Sequence, residues 1–140
     1  MWVLIIIIAI VLLIIIKFSY DTAKQRIQIG RQGGMANKYK TLISLLMSGH
    51  PNTEIFQETS DSLTLGVSGL GGVTTFLLLQ TFGKVTIRWK MDSPLFGKHN
   101  FEWNFPEFMD QDKMVDRINN DLREYHRNVL GTNPFFNDML

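Results

Sequence analysis

The chain has 140 residues, no cysteine and a formal net charge of +1. Lacking cysteine, it has neither a disulfide framework nor a thiolate metal site. So small a net charge argues against bulk nucleic-acid binding. The charge is unevenly placed, however. Residues 17–40 carry Lys17, Lys24, Arg26, Arg31, Lys38 and Lys40 against Asp21 alone, and the residues beyond lean acidic.

The first element is an unbroken apolar run from Met1 to Ile16. As a helix it reaches about 24 Å at 1.5 Å per residue, short of a hydrocarbon core of about 30 Å. Lys17 extends the reach by snorkelling its ammonium to the headgroups. Trp2 at one end, with Phe18 and Tyr20 at the other, suits the two interfaces. Lys24 and Arg26 follow on the same flank. A cleaved signal peptide would want a basic segment before the run and a small-residue cleavage site after it, and neither occurs. There is no cysteine to acylate and no glycine at position 2 for a lipid anchor. A single transmembrane signal-anchor over residues 1–20 is therefore expected. The basic flank places the C-terminal side in the cytoplasm and the N-terminus outside. The same flank suits anionic headgroups, although setting topology is enough to explain it.

Residues 21–35 read as a helix extension that ends in a glycine hinge at 30–35, because Gly30, Gly33 and Gly34 are costly inside a helix. A small domain over residues 36–131 comes next. Its first helix spans Ala36 to Ser48, with Tyr39, Leu42, Ile43, Leu46 and Met47 as one apolar stripe. Gly49 and Pro51 end it.

From Thr53 the period changes to two. Polar and apolar residues alternate over Ser62–Val67, Val85–Met91 and Asn100–Phe105, as in strands with one wet face. Shorter signals add strands at Glu54–Glu58 and Val73–Thr81. Turns fall at Ser60-Asp61, Gly69–Gly72, Phe82-Gly83 and Asp92–Gly97. A last amphipathic helix covers Asp110 to Leu130. Met114, Val115, Ile118, Leu122, Tyr125 and Val129 lie on one face, and Glu107, Asp110 and Asp112 sit near its positive end. Gly131 closes it, and residues 132–140 form a loose tail.

The expected fold is α+β. A transmembrane helix precedes a helix, an antiparallel meander of about five strands and a second helix, with both helices on one face of the sheet. The layout is similar to small chaperone-like α+β domains that bind protein partners, a likeness carried by no residue motif.

No catalytic, cofactor or metal signature stands out. Gly66–Gly72 lacks the Lys-Ser/Thr ending of a phosphate loop and leads into a strand, so a hairpin turn accounts for it. His50, His99 and His126 show no ligand spacing. Histidine with a carboxylate in a concave pocket would be needed to favour an enzyme. The charges of the last helix read as a solvated face. Phe101, Trp103 and Phe105 share a face whose neighbours are not cationic, which favours core over a base- or sugar-stacking platform. Asn133-Pro134-Phe135 resembles the tripeptide recognised by EH-type endocytic adaptor domains; an Asn-Pro turn explains it as simply.

One stretch departs from the one-face rule. Phe76–Leu79 is apolar on both sides. If Phe82-Gly83 is a two-residue turn, Phe76 faces Trp89 and Leu78 faces Ile87 in the core. Leu77 and Leu79 then fall beside Arg88 and Thr86 on the polar face. A longer turn shifts this by one and exchanges the roles. Leu77, Leu79, Thr86 and Arg88 are accordingly the expected partner-binding residues. The functional expectation is a membrane-tethered adaptor or scaffold whose partners are the lipid bilayer and a protein at the membrane. Two alternatives are an accessory subunit acting mainly through its transmembrane helix and a small enzyme. The helix holds one small residue, Ala9, and no GxxxG pattern to favour close helix pairing.

Overall fold

The computed structural model describes residues 1–31, 33–49 and 52–129, and of residues 22 and 25–31 the backbone alone. A long helix α1 (Trp2–Arg31) leads into two short helices, α2 (Gly34–Lys38) and α3 (Lys40–Ser48). Five strands follow: β1 (Glu54–Glu58), β2 (Ser62–Gly69), β3 (Gly72–Thr81), β4 (Lys84–Ser93) and β5 (Gly97–Pro106). Helix α4 (Gln111–Val129) ends the described chain. The fold is α+β, and the sheet is an antiparallel meander in the order β1-β2-β3-β4-β5.

Residues of α1 as far as Ile16 are all apolar, and every residue of Trp2–Asp21 is exposed. Among the described residues, this one helix is long and apolar enough to cross a membrane, at 20 residues or about 30 Å. It runs on through Gly30, where a hinge was expected to begin, and the break comes at Gly33 with φ 86°. The left-handed conformation there suits glycine alone. Met35, two residues later, is already fully buried in the core.

The expected single helix over 36–48 is divided at Tyr39. The Gln111 side chain enters between the two halves. Its Oε1 accepts from the Leu42 N–H and its Nε2 donates to the Lys38 carbonyl, both at 2.9 Å. Those are the two groups that an uninterrupted helix would bond to each other. A side chain inserted into the ladder is a recognised cause of helix kinking. It also fastens the start of α4 to α2 and α3.

Strand alternation sets the core. Leu63, Leu65, Phe76, Leu78, Val85, Ile87, Trp89, Met91, Trp103 and Phe105 point to the helices. Met35, Tyr39, Leu42, Ile43, Leu46, Met114, Val115, Ile118 and Leu122 meet them. Val129, read from the sequence as part of the α4 stripe, is exposed at its end. Trp103 Nε1 donates to Asp121 Oδ2 at 2.9 Å and docks α4 on β5. Inside the core the Tyr39 hydroxyl donates to Gln80 Oε1. Burial, with Glu107 nearby, holds that phenol above its ordinary range. Leu130, Gly131, the tail 132–140 and its Asn133-Pro134-Phe135 lie outside the described residues.

Candidate functional site

Two surfaces carry what chemistry the fold assembles, the outer face of the sheet and an aromatic cluster under β4 and β5. The outer face is built by register. Phe82-Gly83 is a two-residue turn, with Gly83 at φ 74° and Thr81 opposite Lys84. Phe76 therefore faces Trp89 and Leu78 faces Ile87 on the core side. Leu77 faces Arg88, and Leu79 faces Thr86, on the other side. The first of the two expected registers is the one found. Leu77 and Leu79 are half-buried there. All the described helical residues of the core lie on the opposite side of the sheet.

The polar members of this face are tied to one another. Arg88 Nε and Nη2 both donate to Glu102 Oε2, at 2.9 and 2.7 Å. Thr86 Oγ1 donates to Asn104 Oδ1 at 2.7 Å. Pairs of this kind across adjacent strands contribute a few tenths to about 1 kcal/mol each. Arg88 and Thr86 thus reach outward with part of their bonding capacity spent, and the leucines provide the apolar surface.

A third large apolar side chain joins this face, and sequence alone did not show it. The pairing of β1 with β2 slips between Ile55 and Gln57, leaving Phe56 as the extra residue of a bulge. Its ring covers Gly66. A Cβ at Gly66 would lie 3.0 Å from Phe56 Cε2, 3.0 Å from Thr75 Cγ2 and 2.4 Å from the Thr74 carbonyl oxygen. Only glycine leaves room for the ring. The absence of a side chain at Gly66, in the middle of an otherwise alternating strand, was the available signal.

The aromatic cluster brings together two of the three histidines. His99 Nδ1 is 2.9 Å from the Tyr125 hydroxyl, and its Nε2 is 2.6 Å from the Phe96 carbonyl oxygen. Trp89 meets Tyr125 and His126 edge-on, with centroids 6.0 and 5.5 Å apart. Desolvation first, and the neighbouring His99 second, lower the pKa of His126 below the ordinary histidine value. His50 lies outside the described residues.

Asp92 and His99 both border an open depression with Val73, Thr75, Lys90 and Lys98. They do not form an acid–base pair. Asp92 stands on the outer face against Lys98 at 3.3 Å, whereas both His99 nitrogens are engaged on the inner side. A second cleft, between α3 and α4, is lined by Leu45, Leu46, Phe76, Leu122, Asn119 and Arg123, with no histidine or carboxylate among its described lining residues. Among the described residues, no three of His, Asp, Glu or Cys are grouped to hold a metal ion. No family model, curated protein or solved structure matches this chain.

The residues expected at the membrane interface lie on α1. Trp2, Lys17, Phe18, Tyr20 and Lys24 are all exposed, and the Arg26 side chain lies outside the described residues. Phe18 does more than face outward. Its ring packs at a tilt against Phe82, in the β3–β4 turn, with centroids 5.4 Å apart.

Proposed function

We propose that this chain is a membrane-tethered protein-interaction module. Helix α1 is its signal-anchor, and its domain lies on the cytoplasmic side and meets a membrane partner through the outer face of the sheet. The observation that carries this reading is the apolar trio Phe56, Leu77 and Leu79 on a face that no described helix covers. Apolar side chains set among polar neighbours are the usual composition of a docking patch. The cytoplasmic side is read from the basic flank of α1, where Lys17 and Lys24 follow the apolar run. Tethering confines the domain to a thin layer beside the bilayer, which raises its effective concentration toward membrane partners.

The Arg88–Glu102 and Thr86–Asn104 pairs have a definite part in this scheme. They keep the flanks of the patch wet and aligned, while the binding energy comes from covering the leucines and Phe56. A Leu77→Asp/Leu79→Asp variant tests it. Full-length wild type and variant are purified in a mild detergent, and equal folding is checked by circular dichroism. A photo-crosslinker is placed at Thr75 on the same face. Adducts formed by the wild type are expected to disappear from the variant. Identical adducts from both would remove the sheet face as the docking surface.

A further inference from the structure

We propose that the β3–β4 turn and the β5–α4 connection form a second membrane contact, with Phe82 and Phe108 seated in the lipid interface beside the end of α1. This inference rests on α1 spanning the bilayer. It assigns a role to two residues outside the sheet face.

The geometry starts from Phe18. It lies one turn before Asp21, the last residue of the candidate span, and so at the depth where a bilayer changes from hydrocarbon to headgroup. Its contact with Phe82 brings the β3–β4 turn to that same depth. Yet α1 continues ten further residues to Arg31, about 15 Å of rise beyond the span. The chain therefore leaves the membrane, reverses at Gly33 and brings the domain back down alongside the helix extension.

The β5–α4 connection lies at the same end of the sheet. Glu107 N–H donates to the Gly83 carbonyl at 2.8 Å, and Lys84 pairs with Pro106. Phe108 follows at once and is 89% exposed, while Phe82 is 51% exposed despite its contact with Phe18. An exposed aromatic ring is costly in water and at home among headgroups. The remote end of the sheet also shows apolar tips, Leu70 and Leu95. Those lie a ten-residue strand away, about 33 Å along the strand direction, and make natural controls.

Charge does not drive this contact. The segments at this end carry Lys84 and Lys113 together with Asp61, Asp110 and Asp112, and Glu107 is already paired with Lys38. The mixture gives no strong preference for anionic lipid. Seating in a purely zwitterionic bilayer is the expected behaviour, in contrast to attraction through the basic flank of α1.

The chain has no native cysteine, so single cysteines report position cleanly. Full-length variants Ala9→Cys, Phe82→Cys, Phe108→Cys, Leu70→Cys and Leu95→Cys are labelled with an environment-sensitive fluorophore. They are reconstituted in phosphatidylcholine vesicles containing lipids spin-labelled either near the headgroup or deep in the acyl chain. The label at position 9 is expected to be quenched by the deep probe. Labels at 82 and 108 are expected to be quenched by the shallow probe severalfold more than those at 70 and 95. A label at Lys84→Cys is expected to lose its shallow quenching in a Phe82→Ser/Phe108→Ser background. If position 9 is quenched while 82 and 108 match 70 and 95, the second contact is overturned and the span stands. Equal quenching at all four turns, persistence in the double serine variant, or quenching only after anionic lipid is added overturns it as well. No quenching at position 9 removes the span and the contact together.

Discussion

Gln111 acts on two elements at once. Its amide replaces the direct bond between Lys38 and Leu42 and fastens α4 to the helix pair that precedes the sheet. Gln111→Leu keeps the bulk but leaves a part-buried N–H and a carbonyl without these partners. A backbone group stranded in this way costs about 1–3 kcal/mol. The unfolding midpoint of the variant in detergent is expected to fall accordingly, and an unchanged midpoint would show that α2 and α3 had joined into one helix. His126 sets a different dependence. Its pKa lies below the ordinary value in the folded protein, mainly through burial. The unfolded chain therefore takes up the proton first as acid is added. Its contribution to stability is intact above about pH 6.5, the ordinary histidine value, and declines as pH falls through and below it. The melting temperature should drop across that window. In His126→Phe, which keeps an aromatic against Trp89, the slope should be shallower.

At the scale of elements, α4 contributes most of its docking through one stripe. Ile118 is completely buried among the strand side chains. Ile118→Ala is expected to cost about 2–5 kcal/mol, measured by chemical denaturation of the detergent-solubilised chain. The stripes of α3 and α4 and the alternation of β2, β4 and β5 were legible from the sequence because each obeys a single period. The β3–β4 register was narrowed to two pairings, and the two-residue turn at Phe82-Gly83 selects the one that buries both Phe76 and Leu78. What escaped depends on residues far apart in the chain. The break at Tyr39 is made by a glutamine about seventy positions away. The bulge at Phe56 needs the missing side chain of Gly66 on the next strand. His99 and His126 meet because a helix crosses back over β4 and β5, and no spacing in the sequence encodes that crossing. The four residues expected on the sheet face do share it. Arg88 and Thr86, however, are engaged with Glu102 and Asn104, a pairing that waits on the β4–β5 register.

For the whole molecule, the apolar helix and the domain make separable claims. Replacing residues 1–16 with an unrelated transmembrane segment should leave the sheet-face crosslinks of the full chain in place, as judged by the same photo-adducts. Their loss would move the main contact into the membrane and favour an accessory subunit working through α1. The topology of the sheet has one more consequence. Every strand pairs with its neighbour in the chain, so the sheet can grow hairpin by hairpin while the polypeptide is still being made, with little loop-closure entropy at each step. The helical layer cannot be completed in that way. Its first members wait for Gln111, 69 residues beyond Leu42. During synthesis a nearly finished sheet therefore stands for a time with its greasy underside open to whatever lies beside it until α4 arrives.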